Sequence, residues 1–189
     1  NLTVTVEYAL SENNEWSIYY TAITDQPTPV NLTNHCYFNL TGDCTNRILQ
    51  HELKLFADRY TITNKDLIPT GEIATVKNTG LDFTTAKPVG QDLEKTGGYD
   101  HNMILTKEAA TLSPAATVYD PLSGRFMEMC TTEPAVQFYS GTQDAGAQYG
   151  LCLEAQHYPD SPNHENFPDT ILIPGETYTQ KTIYRFSSR

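Results

Sequence analysis

The sequence predicts an all-β fold of many short antiparallel strands, and three observations lead there. Apolar and polar residues alternate with a period of two in one run after another. Clusters of Gly, Pro, Asn and Asp separate the runs at short intervals. No segment keeps a helical period over three turns, and the richness in Tyr, Thr, Val and Ile suits pleated, half-buried surfaces. This pattern fits an antiparallel sandwich or a barrel.

The elements follow in order. Leu2, Val4, Val6, Tyr8 and Leu10 alternate with Thr3, Thr5 and Glu7, a polar turn SENNE follows, and Trp16, Ile18, Tyr20 and Ala22 resume the period, which predicts a hairpin. Pro27 and Pro29 stop its second strand. The next run, Asn31–Leu40, reads as a central strand: Val30, Leu32, Cys36, Phe38 and Leu40 share one face, broken only by Asn34, and Asn31, Thr33, His35, Tyr37 and Asn39 share the other. A further strand is expected from about Ile48 to Tyr60. Residues 64–98 carry a weaker pattern and read as a long loop that roofs a cleft. After Gly97-Gly98 comes YDHNMIL, then a hairpin from Ala115–Tyr119 and Arg125–Thr131, then alternating runs at 136–140, 150–157, 171–173 and 177–186. In the run 150–157, Leu151, Leu153 and Ala155 oppose Cys152, Glu154 and Gln156.

With 189 residues the chain is expected to form one domain, residues 1–189, with a core that needs no disulfide or metal to hold it. A formal net charge of −11 without any Lys/Arg run opposes nucleic acid and anionic membrane surfaces as partners. No apolar run approaches the length of a membrane span or a signal-peptide core, and a cytoplasmic location is the expectation. Cys36, Cys44, Cys130 and Cys152 show no C-x-x-C pairing, so neither a zinc knuckle nor a redox dithiol is indicated. Cys36 and Cys152 fall on strand-like runs and are expected to be buried free thiols. The N-x-T sequons at Asn1, Asn31 and Asn39 are read as chance matches. The chain starts at Asn1 directly in a strand pattern, which reads as part of something longer.

Two residues have the acidities needed to move a pair of protons. His35 lies on the central run beside Tyr37 and two Asn amides, and Glu154 lies in GLCLEAQH. An imidazole and a carboxylate have reference pKa values that straddle the working range, so one can donate a proton as the other accepts one. The alternative is a solvated Glu and a hydrogen-bonded structural His. Asp100, two residues after Gly98, and Gln137, with donor and acceptor on one amide, are candidates for holding hydroxyl groups; a turn residue and an ordinary outward strand Gln are the alternatives. A metal site drawn from His35, His101, His157 and Glu154 has no H-x-H or H-x-x-x-H spacing behind it. Asp100 and Glu154 as paired carboxylates would make a glycosidase, which nothing in the chain recommends over a proton shuttle.

The motifs NLTNHCYFNL, GYDHNMIL, VQFYSG, LCLEAQHYPDSPNH and IPGETYTQKTIYRF, in that order, resemble the galactose mutarotase (aldose 1-epimerase) family. The resemblance runs through nearly the whole chain and is weakest at 64–89. It implies a large antiparallel β-sandwich with an open cleft for a free aldohexose, no cofactor and no metal. His35 then corresponds to the general acid, Glu154 to the general base, and Asp100 and Gln137 to residues that hold sugar hydroxyls. The family's chains are longer and carry a substrate-binding Arg and another His in an amino-terminal portion without counterpart here, so an amino-terminal segment or a separate chain is expected to complete the cleft. The stretch 141–150 also looks shorter than the family's loop. A carbohydrate-binding module without catalysis is the alternative function.

Overall fold

The computed structural model describes residues 1–142 and 148–189; the shortened loop expected at 141–150 lies mostly outside the described residues. In chain order the strands are β1 (Leu2–Leu10), β2 (Glu15–Thr24), β3 (Thr28–Pro29), β4 (Tyr37–Phe38), β5 (Glu52–Leu55), β6 (Ala57–Thr63), β7 (Pro69–Thr75) and β8 (Lys87–Pro88). A single helical turn, α1 (Leu93–Thr96), precedes β9 (Gly98–Leu105), β10 (Ser113–Tyr119), β11 (Arg125–Thr131), β12 (Ala135–Thr142), β13 (Leu151–Gln156), β14 (Ile171–Leu172) and β15 (Tyr178–Ser188).

Two antiparallel sheets make the sandwich. One has the order β1-β2-β15-β11-β10-β5-β8, the other β4-β13-β12-β9-β6-β7, and β3 pairs with β14 alongside. Alternation explains the layering, because each strand turns every second side chain toward the opposite sheet. Ile18, Leu53, Leu55, Met127 and Tyr184 from the seven-stranded sheet meet Met103, Val136, Phe138 and Leu153 from the six-stranded sheet in one core. Aromatic rings centre it: Tyr99 stacks on Phe138 at 4.8 Å between centroids, and Phe83 meets both edge-on at 5.3 and 5.5 Å. Each such ring removed from water contributes roughly 1.5–3 kcal/mol.

The turns obey local chemistry. Asn14 takes φ of 58° at the β1–β2 hairpin, a left-handed conformation that Asn tolerates, while its N–H donates to the Ser11 carbonyl at 3.2 Å. Gly124, φ 72°, closes the β10–β11 hairpin, and a Cβ there would stand 2.9 Å from the Arg189 carbonyl.

Three expectations are corrected. The run 31–40 keeps its alternating burial, but only Tyr37–Phe38 pairs as a strand. Upstream, side chains do the work of a ladder: the Asn31 amide donates to the His157 carbonyl and accepts its N–H, both at 3.0 Å. The strand expected over Ile48–Tyr60 is two, because the chain changes sheet at Phe56, whose backbone binds Ala115 and Thr106 instead of continuing a ladder. Residues 64–98 are no featureless loop, since β7 forms the edge of the six-stranded sheet and β8 the edge of the other.

One side chain stitches distant segments together. The Asn39 amide nitrogen donates to the carbonyls of Asp43, Asn46 and Tyr149 at 3.2, 2.8 and 2.8 Å, and its oxygen accepts from the Thr41 N–H at 3.0 Å. That nitrogen is fully engaged, which agrees with reading its sequon as a chance match. No helix among the described residues is long and apolar enough to cross a membrane.

Candidate active site

The outward face of the six-stranded sheet carries the polar residues, and its register fixes who meets whom. Gln137 on β12 lies opposite both Asn102 on β9 and Glu154 on β13. One row along, Tyr139 lies opposite Asp100 and Cys152, and Cys152 lies opposite Tyr37 on β4. Directly paired residues share a face and stand roughly 4.5–5.5 Å apart at Cβ. The four sequence-predicted residues His35, Asp100, Gln137 and Glu154, spread over 120 positions, therefore border one surface.

His35 sits two residues before β4 and reaches over the neighbouring strand. Its Nε2 is 3.5 Å from Oε1 of Glu154, with the imidazole half exposed and the carboxylate side chain only 10% exposed. Tyr37 and Tyr139 flank the ring at 5.0 and 5.9 Å between centroids. The segment is anchored from below, where the single proton of the Tyr184 hydroxyl is shared between the Leu153 carbonyl at 3.0 Å and Asn34 Oδ1 at 3.3 Å. This gives a reason for the one polar residue on the inward face of the run: Asn34 ties the turn of chain bearing His35 to the core.

Burial raises the Glu154 pKa above the usual carboxylate range, His35 opposes that shift and Asp100 adds to it. The carboxylate is thus readier to take and return a proton than an exposed Glu. Asp100 and Gln137 meet each other, with Gln137 Nε2 donating to Asp100 Oδ1 at 2.7 Å. Behind them, Gln156 Nε2 lies 3.2 Å from Asn102 Oδ1 and 3.4 Å from Gln137 Oε1, fixing the orientation of the Gln137 amide. A cavity of about 70 Å³ beside the pair is lined by Thr61, Thr63, Leu67, Pro69, Asn102 and Pro159 as well. Leu67 and Pro69 come from the segment expected to roof a cleft; they form a side wall.

The other two histidines weighed as metal ligands lie elsewhere. His101 faces the Tyr60 ring on the inward side of the sheet, with its pKa lowered by burial, and His157 Nδ1 is 2.7 Å from Glu133 Oε2. Sequence reasoning placed Cys152 on the Glu154 face as a buried thiol but gave no site role to it, to Tyr139 or to Asn102. Strand parity was the available signal: Tyr139 is two residues from Gln137, Asn102 two from Asp100, and Cys152 two from Glu154. Cys152, a free and buried thiol, places Sγ 3.4 Å from His35 Nδ1, which leaves Nε2 as the nitrogen toward Glu154. Burial pushes that thiol up to about 12, so it stays protonated at neutral pH.

Comparison with known proteins gives a consistent picture. Galactose mutarotase from Mus musculus is 43% identical over 199 residues, covering 98% of this chain and 58% of that protein. Aldose 1-epimerase from Escherichia coli K12 is 38% identical over 204 residues, covering 98% of this chain and 59% of its own length. This chain thus spans less than two thirds of the curated relatives it matches. Among solved structures, an aldose epimerase homologue from C. elegans superposes with a TM-score of 0.86 at 28% identity, covering 99% of this chain and 60% of that one. Galactose 1-epimerase from Lactobacillus acidophilus gives 0.84 at 26% identity, covering 100% and 57%. The family model described as aldose 1-epimerase matches residues 1–185, and the chain belongs to that family.

Proposed function

We propose that this chain carries the acid–base centre of an aldose 1-epimerase acting on a free aldohexose such as galactose or glucose. One observation carries the reading: an imidazole nitrogen 3.5 Å from a buried carboxylate oxygen, on an open polar face lined by groups suited to hydroxyls. Glu154 removes the proton from the anomeric C1 hydroxyl while His35 Nε2 delivers one to the ring oxygen, and the C1–ring oxygen bond breaks to give the open-chain aldehyde. Rotation about C1–C2 presents the other carbonyl face. Closure with the roles reversed returns both protons and yields the opposite anomer.

Each turnover restores both residues, so the chemistry consumes nothing and uses no cofactor. The shuttle asks Glu154 to accept a proton in the step in which His35 gives one, and the 3.5 Å approach of their side chains brings both to one reacting centre. Asp100 and Gln137 hold the distal hydroxyls, and the Gln156–Asn102 contacts keep the Gln137 amide turned for that role. In this reading residues 1–189 act as one domain in the cytoplasm, with the sugar as ligand and neither nucleic acid nor membrane as partner.

The experiment is polarimetry on freshly dissolved α-galactose. The rotation decays faster with protein than without it, and a His35→Asn or Glu154→Gln change removes the acceleration. Unchanged acceleration in both variants refutes the assigned roles, and sugar binding without acceleration in the parent protein makes it a binding module.

A further inference from the structure

The wall that holds the acid and base also presents a sulfur atom. Cys152 Sγ is 3.4 Å from His35 Nδ1, Glu154 Oε1 is 3.5 Å from His35 Nε2, and one donor atom from each residue can be chosen so that all lie within 4.8 Å of one another. On tetrahedral zinc, with Zn–S of about 2.3 Å and Zn–N of about 2.0–2.1 Å, neighbouring donors stand roughly 3.5 Å apart. The Nδ1–Sγ edge already has that length. One ring nitrogen serves one ion, so the widest edge of the set, at most 4.8 Å, has to close by about 1 Å for bonds of this length. The adjustment falls to rotation of the Glu154 carboxylate and of the half-exposed His35 side chain, which precedes β4 on a segment with few ladder bonds.

We propose that His35, Cys152 and Glu154 form a three-donor site for a thiophilic divalent cation of the zinc class, with solvent in the fourth position. The donor set selects the class: imidazole, thiolate and carboxylate together suit Zn²⁺, Co²⁺ and Cd²⁺, whereas Mg²⁺ and Ca²⁺ need oxygen ligands throughout. Charge agrees, because a dication held by one thiolate and one carboxylate leaves a neutral cluster in a poorly solvated wall. A chain of net charge −11 also draws cations toward its surface. On binding, the Cys152 S–H bond breaks, its proton passes to solvent and the sulfur lone pair enters the coordination sphere.

The site excludes the sugar. Resting on the proposed proton shuttle, the ion takes up the Glu154 oxygen and the imidazole that would otherwise meet the hemiacetal, so a loaded site cannot open a ring. Zinc is therefore an inhibitor competitive with aldohexose.

Titration with Co²⁺ followed by absorption tests the site without reference to activity. The parent chain gives a one-to-one complex with a near-ultraviolet sulfur-to-cobalt charge-transfer band, and Zn²⁺ bleaches it. Cys152→Ser loses the band, Glu154→Gln binds about tenfold more weakly or worse, and Cys44→Ser, which removes the exposed thiol, keeps both band and affinity. Absence of the band in the parent chain, its persistence in Cys152→Ser, its loss in Cys44→Ser, or full affinity in Glu154→Gln overturns the proposal. A thermal melt of Cys152→Ser separates lost ligation from lost fold, and the isosteric Glu154→Gln decides if the serine variant does not fold. Polarimetry in the presence of a chelator reports on the proton shuttle separately, so failure of one reading leaves the other standing.

Discussion

β1 and β13 are written in the same two-residue rhythm and live in opposite surroundings. Every residue of β1 is exposed, with Tyr8 and Leu10 at 63% and 78%, whereas every residue of β13 is buried, including Cys152, Glu154 and Gln156. β1 has β2 on one side only, while β13 lies between β12 and β4 with the core beneath it and His35, Tyr37 and Tyr139 beside its polar face. Alternation therefore states which side chains share a face, and the neighbouring strands decide whether that face is wet. An apolar side chain with nothing above it contributes little, and a carboxylate with rings and strands around it becomes chemically tuned.

The contrast is open to breakage at four points, taken from the largest expected effect downward. Glu154→Gln on β13 lowers the anomerisation rate by about 10²–10⁴-fold, whereas Glu7→Gln on β1 leaves it unchanged; polarimetry measures both, and equal losses would erase the distinction. Leu153→Ala, at the core face of β13, costs about 2–5 kcal/mol by urea unfolding, in the range of large-to-small core substitutions. Val6→Ala on β1 stays within about 0.5 kcal/mol, as surface changes usually do.

The third point concerns protons. His51 and His101 have pKa values held below the ordinary 6.5 by burial, against opposing pulls from Asp120 and Asp100 respectively. The His51 Nε2 accepts the Leu40 N–H at 2.8 Å, which requires the neutral ring. Below about pH 6.5 the unfolded chain then binds more protons than the folded one, so stability is full above that pH and falls as acid is added. Urea unfolding from pH 8 to 5 shows it, and a His51→Gln, His101→Gln pair flattens the acid side. The smallest effect is colloidal: Val4→Lys and Val6→Lys together place charge on a bare apolar edge and reduce concentration-dependent self-association in sedimentation, with little change in unfolding midpoint.

The strands that proved easiest to read are those whose alternation runs the length of a paired ladder: β1, β2, β10, β11, β12, β13 and β15 all fall where the period places them. At 31–36 the period gave burial correctly and pairing wrongly, because Asn31 satisfies its neighbour's backbone through a side chain, and nothing in a hydropathy pattern distinguishes an amide from a strand as partner. At Phe56 the apolar rhythm runs on without a break while the chain passes between sheets, so the division into β5 and β6 is invisible until both sheets exist. The same limit governs the site. Chemistry-bearing residue types are visible in a sequence, and the family resemblance assigned roles to four of them, but the contact between Cys152 and His35 joins positions 117 apart. The pairing of Cys152 with Tyr37 and the anchoring of Asn34 by Tyr184 create it.

The Asn39 stitch implies an unusual sensitivity to one atom. Its nitrogen faces three carbonyl oxygens, so exchange of that nitrogen for oxygen, as in conversion to Asp, would turn attraction into repulsion on three sides at once. One of the oxygens belongs to Tyr149, just ahead of β13 and Glu154, and Asn39 itself directly follows β4, next to the segment that bears His35. Slow chemical ageing of this single amide would thus register as a change in the spacing between His35 and Glu154.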